Sequence, residues 1–176
     1  GPGATRATWD GISDEEYHRA FDLGAMSAVR CTRAALPLLR TAAWARVVNV
    51  SAHSTKRQSE TLAAYTAAKS AMTSVSKNMS LVLAKEEILV NTVSPGSFAS
   101  ASFKAAMRAL PAERGLNPDN LYDCMRWIAE DYGHPAHMPR AGDPKEIGAV
   151  IAFVGSQRNS YMTGANVNVD GGSDFC

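Results

Sequence analysis

Two short runs, Arg46-Val47-Val48-Asn49-Val50-Ser51 and Ile88-Leu89-Val90-Asn91-Thr92-Val93-Ser94, constrain the fold of this chain more than any other feature. Both are rich in β-branched residues and nearly continuous in apolar character, the pattern of a strand covered on both faces. Between them, Leu62 through Leu83 is alanine-rich, carries apolar residues at helical spacing and contains no proline, so it reads as a helix. A helix joining two buried strands is the crossover that parallel pairing needs. The same alternation continues on either side. Ser13 followed by Asp14-Glu15-Glu16 supplies an N-cap and capping box, and predicts a long helix to about Arg40 with apolar residues on more than one face. Asp143-Pro144 caps a further helix to about Gly155, and residues 165–169 form a last strand ending in Asp170-Gly171-Gly172. This order predicts an α/β fold: one domain built on a doubly wound parallel sheet, with ligands beyond the carboxyl ends of its strands.

Composition removes several function classes. Of 176 residues 45% are hydrophobic and 20% charged, which fits a soluble globular domain. With 18 Lys+Arg against 17 Asp+Glu the formal charge is +1, so no net field holds a nucleic acid or an anionic membrane surface. No apolar run approaches the roughly 20 residues of a spanning helix, and Gly1 to Arg6 lacks the apolar core of a signal peptide. Cys31, Cys124 and Cys176 are odd in number and form no CxxC pair, which argues for a reducing, cytoplasmic setting without a disulfide framework. His134 and His137 form an H-x-x-H, but Pro135 and Pro139 break the helix that would aim both rings at one ion, so no metal site is expected.

Residues 97–140 are longer than most connections in a compact domain and are interrupted by Pro111, Gly115, Pro118, Gly133, Pro135 and Pro139. Segments of this size often serve as lids. Phe103, Met107, Trp127, Ile128 and their apolar neighbours either line a pocket for a bulky apolar substrate or pack against the body or a neighbouring subunit.

Tyr65 and Lys69 stand four residues apart near the start of the helix between the strands, on one helical face. A phenol with a pKa near 10 is a poor acid-base catalyst at neutral pH, and a neighbouring cation lowers that pKa by stabilising the phenolate. Taken alone, the spacing describes a helical surface pair more often than a catalytic one. Its setting is more specific: a strand ending Asn49-Val50-Ser51, then Tyr65 and Lys69, then a strand ending Val93-Ser94-Pro95-Gly96, then Gly164 to Asp170-Gly171-Gly172. In that order the motifs resemble the short-chain dehydrogenase/reductase family, from about Trp9 to Gly172.

The resemblance implies a Rossmann-like fold and an NAD(P)-dependent oxidoreductase that interconverts a small-molecule alcohol and a carbonyl, with NAD or NADP as cofactor. Tyr65 is then the proton donor or acceptor, and Lys69 lowers its pKa and binds the nicotinamide ribose. The turn after Pro95 and Gly96, with Phe98 and with Ser100 where the family usually has threonine, is then the carboxamide site. The chain also departs from the family. The substrate-orienting serine is expected as the second of two serines, yet the pair reads Ser51-Ala52, so Ser51 or Ser54 has to substitute, with His53 as a further substrate contact. Gly24 stands where the family usually has the asparagine of a water-linked proton relay.

No strand and glycine-rich phosphate turn precede Trp9, and Gly1-Pro2-Gly3 reads as a loop remnant or cloning scar. The chain is therefore expected to represent the carboxyl-terminal part of such an oxidoreductase. A non-catalytic relative whose long helices make an oligomer interface is the alternative. A homodimer or homotetramer is expected in either case, from the apolar character around Met26 and Met72.

Overall fold

The structure, a computed structural model, describes residues 7–173. Gly1-Pro2-Gly3 and Cys176 lie outside the described residues. Three strands form one parallel sheet in the order β1 (Ala45–Val50), β2 (Ile88–Pro95), β3 (Asn166–Val169). Val47 faces Val90 across the first pair, and Val93 faces Val167 across the second.

The strand between two neighbours is the one sealed from water. Every β2 residue from Ile88 to Ser94 is buried, with Val90 and Val93 at 0% exposure. β1 carries the same kind of sequence but is only partly buried along most of its length, and Val50 is exposed. This corrects the expectation that the first run is covered on both faces: among the described residues β1 pairs with β2 alone and its side chains are only partly enclosed. The asparagines inside the strands are explained by their partners. Asn91 donates to the Met162 carbonyl at 2.7 Å and accepts from the Ala165 amide at 3.0 Å, which ties β2 to the approach of β3. Asn49 donates to the Ser76 hydroxyl at 2.8 Å.

The helices follow the sequence reading with one substantial correction. Ser13 and Glu16 close the expected capping box, and α1 runs over Asp14–Phe21. It does not continue unbroken. A wider π-turn, Asp22–Met26, intervenes before α2 (Ser27–Thr41). Within it a methyl group on Gly24 would stand 2.9 Å from the Cβ of Ala68 in α3 (Ala63–Leu83), so the turn passes against that helix at a distance only glycine allows. Met72, expected on an oligomer face, is buried at 4% exposure, whereas Met26 is exposed.

Residues 97–140 are not an open loop. They form α4 (Ala101–Arg108), capped by Ser100, and α5 (Leu121–Tyr132), capped by Asn120. Met107, Cys124, Met125, Trp127 and Ile128 bury one another with Ala99 and Ala141 in a small core of their own. Trp127 packs against Phe103 in a tilted arrangement, 4.9 Å between centroids with 59° between the ring planes, and donates its Nε1–H to Asp131 at 2.7 Å. The prolines and glycines that suggested a loop fall between the helices, where Gly115 and Gly133 adopt left-handed conformations. α6 (Pro144–Val154) follows, with Asp143 and Glu146 completing its capping box.

Candidate active site

The carboxyl ends of β1, β2 and β3 lie side by side. The Ser51 amide donates to the Val93 carbonyl at 2.8 Å and the Gly96 amide to the Val169 carbonyl at 2.9 Å, so the chain leaves all three strands along one rim. Gly96 is required there, because a Cβ would fall 2.6 Å from the Cα of Asp170. Asp170 accepts from the Gly172 amide through Oδ1, while its Oδ2 is buried with no hydrogen-bond partner among the described residues.

Tyr65 and Lys69 enter this rim from the first turns of α3. The Lys69 ammonium donates to the Val50 carbonyl at 2.7 Å and lies 5.9 Å from the centre of the Tyr65 ring. That carbonyl, at the last residue of β1, anchors the lysine beside the phenol and leaves ammonium donors to spare. The electrostatics differ from the expectation that Lys69 lowers the phenol's pKa. Burial pushes the Tyr65 phenol above its ordinary value, and burial likewise pulls the Lys69 ammonium down. The cause in both cases is desolvation of a partly buried group.

Ser51 does not face this rim with its hydroxyl. It is 3% exposed, bonded to the Thr73 hydroxyl at 2.8 Å and donating to the Lys69 carbonyl at 3.3 Å. Its hydroxyl is thus turned into α3, which corrects the expectation of Ser51 as the substrate-orienting serine and leaves it the role of fixing the helix to the strand. Ser54 accepts from the Thr66 hydroxyl at 3.4 Å and borders a cavity of about 210 Å³ that His53 and Ser97 also line. His53 Nδ1 lies 3.1 Å from the Pro95 carbonyl. Phe98 pairs through its backbone with Gly142, and Ser100 accepts from the Phe103 amide as the cap of α4. Of the residues predicted for the site, Tyr65, Lys69, Ser54, His53, Pro95 and Gly96 gather at the rim. Phe98 and Ser100 begin the helical segment.

Arg57 escaped the sequence reading. It borders the same cavity and donates to the carbonyls of Gly133 and Pro135 at 3.2 Å and of Ser173 at 3.1 Å. Its partners are backbone atoms far along the chain, so no spacing in the sequence signals the contact.

A family model described as Enoyl-(Acyl carrier protein) reductase matches residues 4–174. The chain is 24% identical over 172 residues to the NADPH-dependent reductase BacG of Bacillus subtilis, covering 98% of this chain and 64% of that protein. It is 30% identical over 171 residues to the oxidoreductase asL5 of Sarocladium schorii, covering 97% of this chain and 62% of that protein. Among solved structures, an apo short chain oxidoreductase from Pseudomonas aeruginosa, described as containing an atypical catalytic center, superposes with a TM-score of 0.84 at 25% identity, over 97% of this chain and 63% of that one. The chain thus spans less than two thirds of the length of these relatives. The family match, the parallel sheet and the rim that gathers Tyr65 and Lys69 lead to one assignment: the chain belongs to the short-chain dehydrogenase/reductase family.

Proposed function

We propose that this chain supplies the proton-transfer and substrate side of an NAD(P)-dependent oxidoreductase that interconverts an alcohol and a carbonyl. The observation that carries the reading is the anchoring of Lys69 on the Val50 carbonyl beside the Tyr65 ring, at the carboxyl rim of the sheet. The BacG relative is described as NADPH-dependent. The nicotinamide end of such a cofactor fits these residues: Lys69 has ammonium donors left for ribose hydroxyls, and the turn after Pro95 and Gly96 offers backbone polar groups. Among the described residues no glycine-rich strand-to-helix turn is present to hold a pyrophosphate. When bound, the cofactor supplies the two-electron chemistry as a hydride donor or acceptor.

The protein moves the proton. The Tyr65 phenol holds its proton at neutral pH and can donate it to a carbonyl oxygen as negative charge develops there, although burial by itself makes it a weaker acid. The cation of Lys69 stabilises the phenolate left behind. Ser54 and His53, on the loop after β1, border the cavity where the substrate's carbonyl carbon and its substituents would sit. Replacing Tyr65 by Phe in a protein of the relatives' full length is expected to lower turnover by about 10²–10⁴-fold with the melting temperature retained. Undiminished turnover would refute the assignment.

The non-catalytic reading draws support from the engaged Ser51 hydroxyl and from Gly24. The same Tyr65→Phe comparison decides between the two. A homodimer or homotetramer through α2 and α3 is part of the proposal, supported by Leu38, Leu81 and Val82, each exposed by more than 60%. Light scattering at micromolar concentration should return a multiple of the chain mass; a monomer mass overturns it.

A further inference from the structure

The cavity bordered by Ser54 and Ser97 has an unusual distribution of charge. Arg57 lines it, and among the described residues no carboxylate pairs with this guanidinium, whose three bonds all go to neutral backbone carbonyls. No Asp or Glu lines the cavity either. His134 also lines it, with its Nδ1 buried and without a hydrogen-bond partner among the described residues. Such an atom normally costs stability unless something completes it. Apolar groups complete the lining: Leu62 just before α3, Phe103 from α4 and Ile128 from α5. Burial, then the positive charges of Arg57 and His53, push the His134 pKa below its ordinary value, which marks the local field as positive.

We infer that this cavity binds the substrate through a carboxylate, held between Arg57 and the Nδ1 of His134, with a small apolar body against Leu62, Phe103 and Ile128. The inference rests on the proposed oxidoreductase reading and narrows it to a small carbonyl or hydroxy acid. A carboxylate supplies the negative charge that Arg57 lacks and accepts a hydrogen bond from Nδ1–H, so one group satisfies both residues. At about 210 Å³ the space is smaller than a pocket for a drug-sized ligand and suits one ring or a short chain.

The test uses benzoate and benzamide, matched in size and shape and different in charge. Binding to the intact protein is followed by calorimetry and by the NMR signals of the His134 ring, assigned from their loss in the His134→Phe variant. Benzoate is expected to bind about tenfold or more tightly than benzamide, to shift the His134 signals, and to lose about tenfold in affinity in His134→Phe. Arg57→Lys, if it folds, should weaken benzoate similarly. His134→Phe breaks no hydrogen bond at Nδ1 and keeps the test decisive if the Arg57 variant unfolds. Equal affinities for the two probes, binding of neither at millimolar concentration, or benzoate binding unaffected by His134→Phe would overturn the inference. Such a result alongside inactive Tyr65→Phe removes the carboxylate site and leaves the reaction. Selective benzoate binding alongside active Tyr65→Phe removes the reaction alone.

Discussion

The sheet rim and the helical segment of residues 97–140 are built on different principles. At the rim, Lys69 is held by backbone: a carbonyl of β1 takes the ammonium beside the Tyr65 ring, and the strands beneath are fixed by parallel ladders around a β2 buried from Ile88 to Ser94. The helical segment instead rests on side chains, with Trp127, Met107 and Met125 forming a separate core and Arg114 bridging Glu130 and Asp131 at 2.9 and 2.6 Å. Its two ends are tied down by backbone bonds of 2.9 Å, from the Ala99 amide to the Gly142 carbonyl and from the Gly142 amide to the Ser97 carbonyl. The rim depends on close backbone approach, as at Gly96 against Asp170, whereas a segment with its own side-chain core can change shape without disturbing the strands.

The largest effect expected on stability comes from the small core. Replacing Trp127 by Ala removes its ring contacts and its bond to Asp131, and should cost about 3–5 kcal/mol where that core unfolds with the whole. If the segment is an independent unit, amide exchange should accelerate in α4 and α5 while β2 stays protected. Equal acceleration in β2 would break the distinction drawn between the two regions.

Smaller effects are expected on the rim's supporting layer. Gly24→Ala places a methyl 2.9 Å from the Cβ of Ala68 and should destabilise by about 1–3 kcal/mol in urea unfolding. The penalty should shrink when Ala68→Gly is added, since the two positions share one contact. Additive losses would mean that the close approach does not set the identity of residue 24.

The mildest test concerns the junction between the two regions. Glu146 accepts from Arg140 at 2.8 Å through each oxygen and from the Asp143 amide at 2.8 Å, and these bonds, Arg140 first, lower its pKa from 4.5 to about 2. The carboxyl is more acidic in the folded chain than in the unfolded one. Its contribution is therefore complete above about pH 4.5 and is lost as pH falls toward 2. Because the pair is open to solvent, the effect should be slight and should shrink with added salt. Glu146→Gln should flatten that part of the pH–stability curve; an unchanged slope would show that the cap is not set by charge.

The elements legible in the sequence were those whose signals are local. The β-branched runs of β1 and β2, the alanine-rich α3 with Tyr65 and Lys69, and the capping boxes at Ser13 and Asp143 each reflect interactions within a few residues. The helices α4 and α5 were obscured because their apolar positions are divided by prolines and glycines that belong to the turns between them. The fate of Ser51 was hidden for another reason: its hydroxyl bonds Thr73, and nothing in the residues around Ser51 indicates that contact.

Periodicity and capping in the chain itself therefore determined its α/β class and put a phenol and an ammonium on one face of one helix. Only tertiary packing decided how far the side chains of β1 are covered, that Gly24 meets Ala68, and that Arg57 and His134 share a cavity with Ser54. Such contacts join residues distant along the chain, and their energies depend on who else is near. Burial and unsatisfied polar atoms are properties of an assembled neighbourhood, and no single segment carries them.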